Sequence, residues 1–330
     1  MIIVRAPFRI SFFGGGTDLP NWYKENSGAV ISTTIDKFCY ISCRLLPPFF
    51  DYKHRIVYSK QESVNEIDDI IHPAVRETFR FMNVTDGLEI HHDGDLPSRT
   101  GLGSSSAFTV GLLHALYALN GKIVTKKRLA LEAIHIEQEM IKENVGSQDQ
   151  VAVALGGLNK ITFSGNHNID VTPITINQAK LQDFQSHLML FFTGFTRFAS
   201  DIEAEKIKQI SEKQKELTAL RGLVDEAVDI LNGDRDLLDF GKLLHESWIL
   251  KKRLSDKVST SHIDDVYETA MKNGSIGGKI LGAGGGGFIL FFVKPEERER
   301  LRKGLKDLLH VPFSFDNTGS QIIFYSESGA

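Results

Sequence analysis

The feature that most constrains this chain is a glycine- and serine-rich segment, residues 97–107 (PSRTGLGSSSA), which leads directly into an apolar helical pattern. Glycine lets a ligand approach the backbone closely, so several N–H groups and hydroxyls can point to one place. The helix that follows adds the positive end of its dipole at the same place. The segment therefore predicts a phosphate-binding loop. It is not a Walker A loop, because no Gly-Lys-Ser/Thr follows its first glycine at the required spacing.

The composition excludes several classes of protein. The chain has 330 residues, of which 42% are hydrophobic and 24% charged, as expected of a globular protein long enough to form two domains. Its formal net charge of −4 does not favour nucleic-acid binding, and the chain lacks the run of about 18 apolar residues that predicts a membrane span. The N-terminus resembles a β-strand rather than a signal peptide. The two cysteines, Cys39 and Cys43, fit buried free thiols in a reducing compartment. We therefore expect a cytoplasmic protein whose partners are small molecules rather than nucleic acids or membranes.

Strand and helix patterns alternate along the chain without a repeated βαβ order. Apolar or alternating runs predict strands at 2–13, 30–35, 39–46, 88–92, 161–163, 187–193, 288–293 and 321–325. Helical spacing predicts helices at 71–81, after 107, and at 126–144, 198–232, 237–254, 262–273 and 295–309, with a break near 221–222. This mixture predicts an α+β fold rather than a doubly wound sheet. We expect an N-terminal domain of residues 1–180 and a C-terminal domain of residues 181–330.

Three glycine-rich segments lie beside predicted strand or helix ends, at 14–16, 101–103 and 284–287. Turns use glycine often, and the segment 284–287 alone could be a flexible linker, although a strand follows it at once. Three such segments in one chain, one of them with a triple serine, favour a phosphorylated ligand.

The predicted helix 126–144 carries a carboxylate on an otherwise apolar side. Glu137 falls among apolar residues at helical spacing, whereas Glu139 shares its face with charged residues. A buried carboxylate needs a cation or hydrogen-bond donors. Glu137 therefore predicts either a salt bridge or a ligand for a metal ion.

The candidate catalytic residues follow from what phosphoryl transfer needs: a phosphate-binding loop, Mg²⁺, a group that orients or deprotonates the acceptor hydroxyl, and a nearby cation. The serines at 104–106 could supply a hydroxyl to Mg²⁺, although we also expect one of them to cap the following helix. Glu137 is the candidate carboxylate ligand. Asp149 is the candidate base; its alternative role is a favourable charge in the first turn of a short helix, where Ser147 and Gln150 could form a capping box.

Charged residues near the N-terminus are further candidates. Asp18 follows three glycines and is either a turn residue or a ligand for sugar hydroxyls. Arg5 and Arg9 lie four residues apart on a predicted strand, and therefore on one face. Two arginines on one side of an apolar strand predict a carboxylate or another anion opposite them.

The order of the three motifs resembles that of the GHMP kinases, the superfamily named for galactokinase and for homoserine, mevalonate and phosphomevalonate kinases. Residues 6–18 (APFRISFFGGGTD) are similar to its first motif, 97–107 to its phosphate-loop motif and 279–288 (KILGAGGGGF) to its third. The resemblance covers nearly the whole chain, and the second motif is highly specific. It implies a two-domain fold, with an N-terminal half like domain 2 of ribosomal protein S5 and a ferredoxin-like C-terminal half.

The same resemblance implies sites for two substrates and a metal ion. ATP would lie in the cleft with its phosphates over residues 97–107, and Mg²⁺ would be held by Glu137 and Ser105, with Ser104 as the alternative serine. Asp149 would be the base, and Arg9 the basic residue near the acceptor hydroxyl. The implied nucleotide-binding residues are Pro97, Gly101, Leu102, Gly103, Ser104, Ser105, Ser106, Gly284 and Gly285, and the implied sugar-binding residues are Gly15, Gly16, Thr17 and Asp18.

Within the superfamily, residues 5–20 (RAPFRISFFGGGTDLP) look most like the heptose 7-phosphate kinases of bacterial surface-polysaccharide synthesis. Galactokinases have a Glu-His pair where this chain has Gly15 and Gly16. The heptose subgroup phosphorylates the anomeric hydroxyl of D-glycero-D-manno-heptose 7-phosphate to give the 1,7-bisphosphate, on the route to a nucleotide-activated heptose. A phosphorylated substrate needs a second anion site, for which Arg197 and Arg99 are candidates. The alternatives are a fucokinase-like or galactokinase-like enzyme, or a non-catalytic sugar sensor on the same fold. Homodimerisation is left open.

Overall fold

The larger of two β-sheets forms the frame on which the N-terminal motifs lie. The computed structural model describes residues 1–165, 168–194, 204–205, 207, 209–210 and 212–326. Within these residues the larger sheet has nine strands: β1 (Ile2–Phe13), β2 (Gly28–Leu45), β3 (His54–Val57), β4 (Gln61–Val64), β5 (Leu88–Gly94), β6 (Asn159–Ser164), β7 (Asn168–Pro173), β12 (Phe315–Asp316) and β13 (Gln321–Tyr325). The main path runs β13-β1-β2-β5-β3-β4, and the long strand β2 also pairs with β6 and β12. The first two glycine-rich segments follow β1 and β5 along the chain.

Six α-helices accompany this sheet along the chain: α1 (Pro20–Tyr23), α2 (Pro73–Phe81), α3 (Ser104–Leu119), α4 (Lys126–His135), α5 (Gln148–Leu155) and α6 (Gln178–Ser186). A 3₁₀ turn (Ile67–Asp69) precedes α2, and α4 continues directly into a π-helical turn (Ile136–Met140). Helix α3 packs closely on β1 and β2, because a Cβ atom on Gly111 would lie only 3.1 Å from the Ile41 side chain and 3.6 Å from that of Ala6. This contact holds the middle of α3 against the first two strands.

The smaller sheet belongs to the C-terminal half. Its four strands are β8 (Leu188–Phe192), β9 (Ser275–Ile280), β10 (Phe288–Val293) and β11 (Leu309–Val311), all antiparallel in the order β11-β8-β10-β9. Helices α7 (Gln214–Asn232), α8 (Leu237–Lys252) and α9 (Ser261–Lys272) come between β8 and β9, and a 3₁₀ turn (Pro295–Glu297) with α10 (Arg298–Gly304) comes between β10 and β11. This β-α-β-β-α-β connectivity is ferredoxin-like. The predicted α+β class is confirmed.

An aromatic cluster joins the two sheets beside the first glycine-rich segment. The rings of Phe12 and Phe13, at the end of β1, lie 5.6 Å and 4.9 Å from the Phe240 ring on α8. Phe184 on α6 completes the cluster, 4.7 Å from Phe240. Each such ring pair contributes about 0.5–1.5 kcal/mol beyond the area it buries. The end of β1 is therefore held firmly where residues 14–18 begin.

The division into residues 1–180 and 181–330 stays a prediction. The pairing of β12 with β2, and of β13 with β1, returns the end of the chain to the larger sheet. The segment 165–185, which has weak sequence patterns, contains β7 and most of α6. Cys39 and Cys43 are buried free thiols, as predicted.

Three local predictions are wrong. The N-cap of α3 is Gly103, so the serines form the first turn of the helix rather than capping it. The Ser147 side chain makes no capping bond at α5, because its hydroxyl is bonded to Tyr23 and Gln138 instead. Helix α7 continues through 221–222 without a break, since a glycine in a helix only weakens it unless another feature ends the helix there.

Candidate active site

A bidentate salt bridge between Arg9 and Asp149 lies at the centre of the site. Arg9 donates from Nε to Oδ1 and from Nη2 to Oδ2 of Asp149, both at 2.7 Å. Its remaining nitrogen, Nη1, donates to the Gly101 carbonyl oxygen at 2.6 Å. The Arg9 side chain is 4% exposed, whereas that of Asp149 is 23% exposed. The carboxylate is therefore oriented from behind while part of it still faces solvent.

The position of Arg9 in β1 explains why it alone meets this carboxylate. Its backbone N–H donates to the Leu102 carbonyl oxygen at 2.9 Å. This bond ties the strand to the predicted phosphate-binding loop at residues 97–107, called the phosphate loop below. The register between β1 and β2 shifts between Pro7 and Arg9, and such an irregularity changes the direction of the side chains beyond it. Arg5 consequently contacts Gln321 and the Phe38 ring instead. The predicted carboxylate partner exists for Arg9, whereas Arg5 forms no ion pair with a carboxylate among the described residues.

The loop at 97–103 reaches the N-terminus of α3 through backbone conformations that favour glycine. Gly101 and Gly103 have φ values of +84° and +75° in the left-handed region. A Cβ atom on Gly103 would lie 3.2 Å from the Arg9 side chain and 3.4 Å from Asp149 Oδ2. The phosphate loop and the ion pair are therefore in direct contact, and a larger residue at 103 would push between them.

The three serines at the start of α3 have different surroundings. The Ser104 hydroxyl accepts a hydrogen bond from the Arg99 N–H at 3.1 Å, and Ser105 is exposed. Ser106 is buried and its hydroxyl donates to Glu137 Oε2 at 3.0 Å. The direct contact with Glu137 in this structure is made by Ser106, and the shared role of Ser105 and Glu137 as Mg²⁺ ligands stays a prediction. An exposed Ser105 remains able to meet a ligand placed over the helix N-terminus.

The third glycine-rich segment supports the phosphate loop from behind. A Cβ atom on Gly282 would lie 2.5 Å from the Gly101 Cα atom, and one on Gly287 would lie 2.2 Å from the Thr100 carbonyl oxygen. The Phe288 N–H donates to that same oxygen at 3.1 Å. Only residues without side chains allow two backbones to approach this closely. The segment is therefore a packed part of the site and not a flexible linker.

Gly284, Gly285 and Pro97 were predicted to bind the nucleotide, and the structure gives each a protein contact. The Gly285 N–H donates to the Val258 carbonyl oxygen at 2.9 Å, and Gly284 packs against Val258. The Pro97 carbonyl oxygen accepts from the Thr100 hydroxyl at 2.8 Å. Contact of these residues with a nucleotide stays a prediction.

Glu137 is buried beside the phosphate loop, as its position among apolar residues predicted, and Glu139 is exposed. The Oε2 atom of Glu137 accepts hydrogen bonds from Ser106 and from the Gln150 amide. The Oε1 atom of Glu137 is buried without a hydrogen bond of ordinary geometry. Burial raises the pKa of Glu137 to about 7, although nearby hydroxyl and amide groups oppose the shift. A buried carboxylate with an unpaired oxygen suits a hard cation such as Mg²⁺.

Glu137 lies in the π-helical turn 136–140, which directly follows α4. The turn interrupts the regular spacing of α4 directly at this residue, and the Glu143 N–H donates to the Glu137 carbonyl oxygen at 2.9 Å. Single π-turns occur often at functional sites, because they move one side chain out of the helical register. The sequence predicted a regular helix through 144, so the insertion was not foreseen.

Asp18 connects the first glycine-rich segment to the start of α5. Its Oδ1 atom accepts from the Gly16 N–H, and its Oδ2 atom from the Gln148 amide, both at 2.9 Å. The Ser147 N–H also donates to its carbonyl oxygen at 2.9 Å. Asp18 is 3% exposed. The residue therefore fixes the segment 14–18 relative to the helix that carries Asp149.

The remaining predicted sugar-binding residues lie on the same loop. Gly15 and Gly16 are partly exposed. Thr17 is fully buried, and its hydroxyl donates to the Gly14 and Ala29 carbonyl oxygens. That hydroxyl holds the loop in shape, and contact of Thr17 with a sugar stays a prediction.

The two arginines suspected of binding a substrate phosphate have different outcomes. Arg99 is exposed and has a positive φ of +62°, which is a strained conformation for this residue type. Burial raises the pKa of Glu143, and the Arg99 guanidinium opposes this shift, so Arg99 lies on the Glu143 side of the loop. Arg197 lies outside the described residues.

Gln148, Gln150 and Ser106 have roles that sequence reasoning missed. Gln148 and Gln150 flank Asp149 on α5 and donate to Asp18 and Glu137. Amides on both sides of a candidate base were the available signal, because buried carboxylates need such donors. None of the described residues form a cluster of three or more His, Cys, Asp or Glu side chains able to hold a metal ion, so a metal here would depend on Glu137, hydroxyls, water and phosphate oxygens.

Comparison with known proteins agrees with this geometry. Residues 69–157 match the model of the GHMP kinase N-terminal domain, and residues 223–310 match that of the GHMP kinase C-terminal domain. A relative from Campylobacter jejuni, D-glycero-alpha-D-manno-heptose 7-phosphate kinase, is 31% identical over 96% of this chain and 97% of its own length.

Solved structures share the fold over nearly the whole chain. A D-glycero-D-manno-heptose 1-phosphate kinase from Bacteroides thetaiotaomicron superimposes with a TM-score of 0.80 at 21% identity, covering 99% of this chain and 100% of that one. A putative sugar kinase from Campylobacter jejuni gives a TM-score of 0.70 at 27% identity and covers 98% of each chain. No helix in the described part of the chain is both long and apolar enough to cross a bilayer.

Proposed function

The chain belongs to the GHMP kinase family and is a sugar kinase that uses ATP, and we propose that its acceptor is the anomeric hydroxyl of D-glycero-D-manno-heptose 7-phosphate. The product would be the 1,7-bisphosphate, a precursor of a nucleotide-activated heptose for surface polysaccharide. The name of the 31% identical relative supports this substrate class.

The observation that carries the proposal is the junction of Arg9, Asp149 and Gly101. One guanidinium holds the candidate base and the backbone of the phosphate loop at the same time. Phosphoryl transfer depends mainly on positioning and electrostatic stabilisation. An arrangement that fixes an acceptor-orienting carboxylate next to a phosphate loop meets this requirement directly.

Asp149 would receive a hydrogen bond from the acceptor hydroxyl at its solvent-facing edge. Both of its oxygens already accept from Arg9, so the carboxylate is held in one orientation. An anomeric hydroxyl is more acidic than an ordinary alcohol, so a carboxylate can accept its proton as its oxygen bonds to the γ-phosphorus of ATP and the bond from that phosphorus to the ADP oxygen breaks. Arg9 would then stabilise the negative charge that develops between acceptor and phosphate.

The phosphate loop would bind the triphosphate through backbone N–H groups at the N-terminus of α3 and through the Ser104 and Ser105 hydroxyls. Glu137 and Ser105 would hold Mg²⁺, and Ser106 with Gln150 would orient Glu137 by the hydrogen bonds they donate. The ion, when bound, would neutralise negative charge on the phosphates. The unpaired Oε1 atom of Glu137 supports this assignment.

The sugar would lie at the loop 14–18, between the end of β1 and the start of α5. Gly15 and Gly16 offer backbone without side chains in its way, and Asp18 fixes the loop. A substrate that already carries a phosphate needs a cation on the far side of the ring from Asp149. Arg197 and Arg99 remain the candidates for that contact.

A coupled ADP-release assay tests the substrate. We expect turnover of heptose 7-phosphate with a kcat/KM far above that for the same heptose without its phosphate, and above those for galactose and fucose. Comparable kcat/KM values with and without the 7-phosphate would instead indicate a free-sugar kinase of the same family. No sugar-dependent ADP release at all, while nucleotide still binds, would indicate a sugar sensor.

A further inference from the structure

Among the described residues, the buried lysines are Lys251 on α8 and Lys279 on β9, which are 5% and 3% exposed. A charged ammonium group in such surroundings is costly unless strong acceptors surround it. Neither residue contributes to the chemistry described above, and both belong to the C-terminal half. Both donate to backbone carbonyls that lie next to the two loops of the site.

Lys251 holds the segment that supports the phosphate loop. Its ammonium donates to the Ile280 carbonyl oxygen at 2.9 Å and to the Gly282 carbonyl oxygen at 2.6 Å. These carbonyls flank Leu281, whose own oxygen would lie 2.5 Å from a Cβ atom on Gly101. The Gly101 carbonyl in turn accepts from Arg9, the partner of Asp149. A continuous chain of contacts therefore runs from Lys251 to the catalytic pair.

Lys279 holds the other loop. Its ammonium donates to the Phe12 carbonyl oxygen at 2.7 Å, two residues before Gly14, where β1 ends and the sugar-side loop begins. Lys279 thus attaches the C-terminal half directly to the N-terminal half at the sugar-side loop. Lys251 acts within the C-terminal half, on the segment that lies behind the phosphate loop.

We propose that Lys251 and Lys279 are positioning residues with separate duties, Lys251 for the nucleotide and Lys279 for the sugar. Each ammonium donates to backbone carbonyls for which the contacts described above show no other charged donor. Both also place positive charge behind a site that receives two anionic substrates, which is the favourable sign. This inference rests on the proposed positions of ATP over residues 97–107 and of the sugar at residues 14–18.

The test compares Lys251→Met and Lys279→Met, each of which keeps the length of the side chain and removes its charge. Lys252→Met is the matched control, because Lys252 is the neighbour of Lys251 on α8 but pairs with Asp264 on the surface. Calorimetric titration with a non-hydrolysable ATP analogue, without sugar, measures the nucleotide Kd. The coupled assay measures the KM for the sugar phosphate and kcat.

We expect Lys251→Met to raise the nucleotide Kd by about tenfold or more, because the loss of one charge-assisted hydrogen bond corresponds to a change of about that size. The sugar KM should stay within about twofold of the wild-type value. Lys279→Met should show the reverse pattern, and Lys252→Met should change neither constant. Equal effects of both variants on both constants, or no effect in either folded variant, would overturn the proposal.

Two additions keep the test decisive. If Lys251→Met does not fold, Lys251→Gln, which retains one donor, replaces it in the same comparison. If the wild-type protein does not turn over heptose 7-phosphate, the proposed function fails. The nucleotide titration needs no sugar and still decides the role of Lys251.

Discussion

Arg9 and Asp149, which are 140 positions apart in the chain, form a bidentate salt bridge in which each carboxylate oxygen accepts a hydrogen bond at 2.7 Å. The pair joins the first strand to the helix α5. Because Arg9 also holds the Gly101 carbonyl, the same guanidinium determines the distance between the carboxylate and the phosphate loop.

Substitution of Asp149 by Asn should remove the base, and with it one of the two oxygens that accept from Arg9, while keeping the size of the side chain. We expect kcat to fall by roughly 10²–10⁴-fold, the usual contribution of acid–base catalysis, with little change in the nucleotide Kd. The coupled assay and the calorimetric titration measure the two quantities. The control is Asp225→Asn, which disrupts an exposed pair with Arg221 and should leave kcat unchanged. A kcat for Asp149→Asn within a few-fold of wild type would show that another group receives the proton.

Glu137→Gln should impair the use of Mg²⁺. The substitution removes the charge that attracts the cation, so the Mg²⁺ concentration needed for half-maximal activity should rise by at least about tenfold, as for the loss of an important partner of a bound metal. The matched control is Glu139→Gln, two residues further on the exposed side. Magnesium titrations at saturating ATP and sugar distinguish them. Identical titration curves for the two variants would remove Glu137 from the metal site.

Gly146→Ala should displace Asp18. A Cβ atom on Gly146 would lie 1.8 Å from Asp18 Oδ2, so either the carboxylate or the start of α5 must move. We expect a higher KM for the sugar and a lower kcat, with the nucleotide Kd preserved. Gly222→Ala is the control, because nothing lies within 4 Å of its Cβ position. In the middle of α7 it should raise the free energy of unfolding by about 0.5–1 kcal/mol. Unchanged sugar kinetics in Gly146→Ala would argue against the location of the sugar at residues 14–18.

The stability of the protein should depend on pH through Glu89. Burial alone would raise the pKa of Glu89, but hydrogen bonds from His91, Arg55 and Arg44 outweigh it and lower the pKa to about 2, from 4.5 in the unfolded chain. The ionised form therefore stabilises the fold above pH 4.5, and this contribution is lost as the pH falls towards 2.

Urea unfolding of Glu89→Gln checks this dependence. At pH 7 the free energy of unfolding of the variant should be lower by roughly 2 kcal/mol, because the substitution removes the charged acceptor of the hydrogen bonds from Arg44, Arg55 and His91. The difference from wild type should shrink as the pH falls below 4.5. The control Asp68→Asn alters an exposed pair with Arg80 and should cost little at any pH. A pH-independent difference for Glu89→Gln would mean that the loss arises from packing.

Much of this architecture could be predicted because it depends on short-range patterns. The phosphate loop, the following apolar helix and the three glycine-rich segments are each visible in ten or so consecutive residues. The buried side of Glu137 followed from helical spacing alone. The α+β class followed from the irregular order of strands and helices.

Other features could not be predicted because competing partners lie far away in sequence. The serines at 104–106 are good capping residues, yet Gly103 caps α3 because the loop needs its positive φ to reach Arg9 and Asp149. Ser147 and Gln150 fit a capping box, yet the Ser147 hydroxyl is hydrogen-bonded to Tyr23 and the Gln150 amide donates to Glu137. A capping bond contributes from a few tenths of a kcal/mol to about 2 kcal/mol to stability. A buried polar group that loses its hydrogen-bond partner costs as much or more, so the distant pairing is favoured over the local cap.

The sequence by itself determined which chemical groups are present and on which element each one lies, because glycine freedom, helix dipoles and side-chain periodicity act within a few residues. Only the tertiary structure decided which of these groups meet: Arg9 rather than Arg5 with Asp149, Ser106 with Glu137, and Asp18 with the start of α5. These pairings depend on a shift in strand register and on the packing of helices against the sheet. Such features arise from contacts between distant parts of the chain, which no local pattern encodes.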